Sequence, residues 1–290
     1  MKFDFTPQHG FLIGIDSDGC VFDTMELKQK ECFTPNTVRF WGLQGVSKYA
    51  REACDFVNLY SKSRGCNRFL ALIEELDWLS KRPEVIARGV KVEVPQSLRD
   101  WVARETKLGN PALMAEVETT GDPGLKQTLA WSLAINEFVD MIVGTGVPPF
   151  PCVRECLEKM QGKADVLVVS ATPQDALVRE WEEQDLSRYI AAICGQEIGT
   201  KKESLVLAKK YAENRTLMIG DAPGDHKAAV ANGALFFPIN PGAEEKSWKR
   251  LLDEGLEHFF TGTFAGKYQD ELLDEFNSYL PSTPPWPTGA

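Results

Sequence analysis

Short apolar runs and longer amphipathic stretches alternate unevenly along this chain, and their order predicts its layout. The run "FLIGI" (11–15) stops abruptly at Asp16 and reads as a buried strand. Between about 21 and 150 the pattern is helical instead. Val46, Tyr49, Ala50, Ala53, Phe56, Val57 and Tyr60 recur at helix spacing, as do Phe69, Leu72, Ile73, Leu76 and Leu79. "GLKQTLAWSLAINEFVDMIV" is apolar on more than one face and predicts a helix lying between others. Trp41, Trp78, Trp101 and Trp131 fit as anchors between these helices. After "GVPPFP" strand-type runs return at 164–170, 189–195, 215–221 and 233–239. They are separated by the helical stretches "PQDALVREWEEQ", "KKESLVLAKKYAE" and "DHKAAVAN". Strands alternating with helices predict a mostly parallel sheet covered on both faces.

The expected fold is therefore α/β. A Rossmann-like parallel sheet core, residues 1–20 and 151–290, is interrupted after its first strand by a helical domain at 21–150. Two unrelated domains in tandem would leave 11–16 as a lone strand with nothing to pair with. The Pro-rich end "PSTPPWPTGA" predicts a poorly ordered tail.

Composition narrows the function. The 290 residues are 43% hydrophobic and 26% charged, as in ordinary globular proteins, and no apolar run approaches the ~20 residues that span a bilayer. The start, "MKFDFTPQHG", lacks the apolar stretch of a secretory signal, so the expected compartment is the cytoplasm. A net charge of −10 disfavours nucleic acid and anionic membrane surfaces as partners. The seven cysteines are odd in number and scattered, which points to reduced thiols. Cys152 and Cys156 are four apart, but nothing nearby completes a zinc site.

Candidate chemistry gathers at strand ends. Asp16 and Asp18 follow the first strand, Ser170 and Ala171 the second, and Asp221 and Asp225 lie in "GDAPGD" after the strand 215–221. Lys201 and Lys202 open a helix between these last two groups. In a parallel sheet such ends share one edge, where open α/β sheets bind ligands. Each signal alone has a plain structural alternative: a turn at Asp16-Ser17-Asp18-Gly19, a helix cap at Asp225 and a solvated lysine. As a set they suit phosphoryl transfer. Asp16 serves as nucleophile, and Asp18 as the acid that protonates the leaving oxygen and then as the base for water. Ser170, its neighbouring backbone N–H groups and one lysine hold the phosphate. Carboxylates this close call for a cation, and their hard oxygens suit Mg²⁺.

In this order the motifs resemble those of the haloacid dehalogenase (HAD) superfamily of phosphatases and phosphotransferases. Asp16-Ser17-Asp18-Gly19 matches the first motif, Ser170 the second, Lys201 the third and "GDAPGD" the fourth, over about residues 8–24 and 150–262. The resemblance implies that Asp16 and Asp221 bind the metal by side chain and Asp18 by its backbone carbonyl, with Asp225 a ligand or a support for one. It makes the helical insert a C1-type cap. Cys20 stands where the family usually has Thr or Val, and the register of Lys201 against Lys202 stays open. The second acid, Asp18, argues for phosphate chemistry over dehalogenation. The substrate expected is a small phosphorylated metabolite, read within the cap by Arg64 or Arg68. A phosphomutase using the same acids is the alternative, and a non-catalytic regulatory member a further one.

Overall fold

The computed structural model describes residues 5–143 and 146–288. They divide into two units, one formed from Met1–Met25 with Thr145–Leu280 and the other from Glu26–Gly144 with Pro281–Ala290.

The first unit is built on a five-stranded parallel sheet: β1 (Phe11–Ile15), β2 (Ala164–Val169), β3 (Ala192–Cys194), β4 (Thr216–Gly220) and β5 (Leu235–Pro238). Its order is β3-β2-β1-β4-β5, with Leu12 beside Asp165 on one flank and Thr216 on the other. The strands read as unbroken apolar runs because both faces are covered. Alternate side chains supply two separate cores. Ile13, Ile15, Val166, Val168, Leu217 and Ile219 pack on one face, and Leu12, Leu167, Val169, Met218 and Phe236 on the other. The chain runs from β1 through β2 to β3 on one side and then crosses back to β4 and β5 on the other, so the crevice between the carboxyl ends of β1 and β4 is the switch point of the sheet.

Two expected elements change most. The strand expected at 189–195 shrinks to Ala192–Cys194, because Ser187–Tyr189 winds into a single 3₁₀ turn just before it. The helix expected from Lys201 is α-helical only over Lys201–Ser204, then tightens to 3₁₀ over Leu205–Lys210 while burying Leu205, Leu207 and Ala208.

The second unit is helical. Ser47–Leu59, Arg68–Ser80 and Pro123–Ile142 are its longest helices. Asn67 and Asp122 cap the latter two, accepting from the backbone N–H groups of Phe69 and Leu125. Phe69 lies edge-on to both Trp101 and Trp131, which are fully buried, whereas Trp41 and Trp78 are half-buried. The Pro-rich tail departs from its expectation. Trp286 packs edge-on against Phe56, and the Arg82 guanidinium lies 4.5 Å from its ring centroid, so one aromatic anchor fixes a segment whose composition signals only irregularity. Among the described residues no helix is long and apolar enough to cross a membrane.

Candidate active site

Asp16 continues the β1 ladder, its N–H donating to the Ile219 carbonyl. The chain then turns sharply: Gly19 takes a φ of 75°, a left-handed conformation that glycine enters without steric cost. The N–H groups of Cys20, Val21 and Phe22 all point back at the Ser17 carbonyl. This turn buries Asp16 and leaves Asp18 half-exposed, with Thr172 Oγ1 donating to Asp18 Oδ2 at 2.7 Å and Thr24 to its Oδ1. Ser17, fully buried, accepts from Trp181 Nε1 and donates to Glu180, both at 3.0 Å. Burial pushes the Cys20 thiol up, aided by Asp221 and Asp16, so this cysteine stays a neutral packing group.

On the other side of β1, β4 delivers Asp221, and the helix Pro223–Ala231 delivers Asp225. Asp225 does cap this helix, accepting from Ala222 N–H at 3.0 Å through Oδ2, while its Oδ1 faces the site. That placement requires Gly220, where any Cβ would come within 2.5 Å of the Asp225 side chain. Thr200 and Glu203 form a reciprocal cap that starts the helix at Lys201. Lys201 Nζ reaches inward to Asp16 Oδ2 at 2.5 Å and to Asp225 Oδ1 at 2.6 Å. Lys202 is solvent-exposed, so of the two lysines only Lys201 enters the cluster.

Asp16, Asp221 and Asp225 are all buried, each with a carboxylate oxygen within 4.8 Å of the others. Burial raises Asp16 well above the usual carboxylate range; Asp225 and Asp221 add to the rise and Lys201 only partly offsets it. Burial disfavours the Lys201 ammonium, yet the three aspartates outweigh this and hold it protonated. One ammonium and three buried carboxylates meet here. An oxygen-only donor set of this kind fits a hard divalent cation such as Mg²⁺.

Ser170 ends β2, buried, with its N–H on the Cys194 carbonyl and its Oγ accepting from Thr172 N–H at 3.2 Å. Ala171 is exposed beside it. Asp16, Ser170, Lys201, Asp221 and Asp225 thus lie at or just beyond the carboxyl ends of neighbouring strands or at helix starts facing them. Arg64 and Arg68 belong to the helical unit and are occupied within it. Arg64 is buried and donates to the Leu59 carbonyl. Arg68 donates to Ser132 and Asn136 and lies over the Phe33 ring. Thr24, Thr172 and Glu180 escape the sequence reading. Threonines six and two residues beyond a motif carry no spacing signal, and Glu180 meets Ser17 only through folding.

No protein-family model matches the chain, and no curated protein matches it either. Solved structures do. A haloacid dehalogenase-like hydrolase from Streptococcus pneumoniae aligns at 11% identity and a TM-score of 0.44, over 82% of this chain and 90% of that one. A HAD-superfamily hydrolase of subfamily IA from Geobacter sulfurreducens aligns at 14% and 0.39, over 80% and 90%. A provisionally assigned HAD hydrolase from Bacillus subtilis, solved with magnesium bound, aligns at 13% and 0.40, over 79% and 86%. At such identities and scores the chemistry rests on this chain's own residues.

Proposed function

We propose that the protein is a Mg²⁺-dependent phosphatase that hydrolyses a small phosphorylated metabolite through an aspartyl-phosphate intermediate. The observation that carries this reading is the cluster of Asp16, Asp221 and Asp225 around Lys201, buried at the switch point of the sheet with Asp18 beside it. Asp16, Asp221 and Asp225 would hold the cation, which would neutralise the phosphate and let an anionic nucleophile approach it.

The chain's own groups divide the remaining work. Asp16 attacks phosphorus, and its bond to the phosphoryl group forms as the ester oxygen leaves. Asp18 gives that oxygen its proton. Asp18 then takes a proton from water as the water attacks phosphorus, releasing phosphate and restoring the Asp16 carboxylate. Lys201, the Ser170 hydroxyl and the Ala171 N–H bind the remaining phosphate oxygens, stabilising charge where it develops.

The test is release of phosphate from p-nitrophenyl phosphate by the purified protein, with and without chelator, together with trapping of phosphoenzyme. Activity that vanishes in EDTA and returns with Mg²⁺ is expected, and full activity in chelator overturns the reading. Turnover of sugar monophosphates that depends on traces of bisphosphate would mark a phosphomutase instead.

A further inference from the structure

Among the described residues of the helical unit, a non-helical segment at 90–95 is held by backbone hydrogen bonds only at its two ends, Val90 and Pro95. Between Gly89, at a φ of 67°, and the helix Gln96–Arg104, residues 90–95, "VKVEVP", are neither helix nor paired strand, and burial alternates along 90–94. Val90, Val92 and Val94 turn inward and pack against the helical core. Lys91 and Glu93 turn outward, 81% and 65% exposed, and pair with each other at 2.5 Å. Among the described residues, no hydrogen bond engages the backbone N–H or C=O of residues 91–94. The segment also forms one wall of an open groove of about 660 Å³, whose other walls include Phe40, Trp41, Asp77 and Arg99. Period-two burial with unused backbone groups is the pattern of a strand edge, and such an edge is a template for another strand.

We propose that this edge pairs with the same edge of a second copy of the chain, antiparallel about a two-fold axis at Val92. The charge pattern selects that occupant. Antiparallel pairing centred on Val92 sets residue 91 opposite residue 93 of the other copy, and the reverse. Lys91 and Glu93 then meet Glu93 and Lys91 across the strands, on one face, twice per dimer. Two lysines or two glutamates at these positions would repel in the same register, so the alternation of sign makes the edge self-complementary. The contact is isologous and closes on itself, adding two strands and no further edge pairing in line. Pro95 lacks an N–H and limits the ladder to residues 90–94.

Sedimentation equilibrium of the full chain at physiological ionic strength should show a reversible monomer–dimer equilibrium. Amide hydrogen exchange should slow at alternate residues, either Lys91 and Glu93 or Val92, as protein concentration rises. Lys91→Glu and Glu93→Lys, both exposed changes that leave the core intact, should each weaken the dimer on the order of tenfold, since each turns two attractive cross-strand pairs repulsive. The double variant K91E/E93K restores opposite signs across the axis and should recover the wild-type affinity. A chain that stays monomeric over the whole accessible concentration range overturns the proposal. So does a dimer indifferent to both single changes, or a double variant no tighter than the singles.

Discussion

The helical unit buries Arg64, Glu75 and Arg82, while the sheet unit buries Asp16, Asp221 and Asp225. In the helical unit each charge has its own neutral or opposite partner. Glu75 accepts from Asn58 and, at 3.2 Å, from Cys54. Arg82 pairs with Glu52 and Glu84 and is held between the rings of Tyr49 and Trp286, 4.5 Å from each centroid. In the sheet unit three like charges lie within 4.8 Å of one another, and Lys201 reaches two of them, Asp16 and Asp225. Locally paired buried charge is what a stable interior tolerates; clustered charge of one sign is what a cation and a phosphate require. Burial with like neighbours, rather than burial alone, is thus what the proposed site rests on.

The largest effect expected from the contrast is on turnover. Asp16→Asn should abolish phosphoenzyme formation and lower hydrolysis by at least on the order of 10⁴-fold, because the amide keeps the shape but is a far poorer nucleophile. Rapid-quench trapping checks this, and residual wild-type turnover would remove the nucleophile role from Asp16. Asp18→Asn comes next. Its loss should be about 10²–10⁴-fold for an alkyl phosphate but smaller in the phosphorylation step for p-nitrophenyl phosphate, whose leaving group hardly needs a proton. Equal losses for both esters in single-turnover runs would leave Asp18 only a turn residue.

Stability should respond in opposite senses in the two units. Arg82→Ala takes the cation from two ring faces and from the part-exposed Glu52, and should cost about 1–2 kcal/mol in urea unfolding. Asp221→Asn, measured without divalent metal, relieves repulsion in the cluster and should unfold no more easily than wild type. A strong destabilisation by Asp221→Asn in metal-free buffer would mean that the cluster is structural. The smallest effect is a pH slope. Burial raises the Glu75 carboxyl above its usual value of 4.5. The folded chain thus retains a proton that the unfolded chain releases, and stability falls as pH rises from about that value through the raised one. Glu75→Gln should remove this decline, so its stability relative to wild type should grow with pH over that window. Parallel unfolding curves for the two proteins at all pH values would sink the assignment.

Much of the site was legible from order alone. Carboxylates after "FLIGI" and "TLMIG", a serine after "DVLVV" and a lysine at a helix start become neighbours once the strands are parallel. A parallel sheet aligns every carboxyl end on one edge, so linear sequence suffices to place residues there. Strand periodicity likewise told β1 apart from the helical stretch that follows, since burial on both faces leaves an unbroken apolar run.

Tertiary structure decided what depends on direction and distance. Lys201 and Lys202 are adjacent and chemically identical, and only the Thr200–Glu203 cap, which sets the phase of the turn, sends the first inward and the second to solvent. Arg64 and Arg68 carry the charge that a phosphate reader would need, yet the Leu59 carbonyl and the Ser132–Asn136 pair take up their guanidinium groups. Trp286 lies in a stretch that composition reads as irregular, and its anchoring arises from Phe56 and Arg82, more than two hundred residues earlier. Sequence thus determined which chemistry this chain can gather, because strand order is a one-dimensional property. Which side chains complete it was settled by packing, because the choice among neighbouring polar groups is made by contacts that no local pattern encodes.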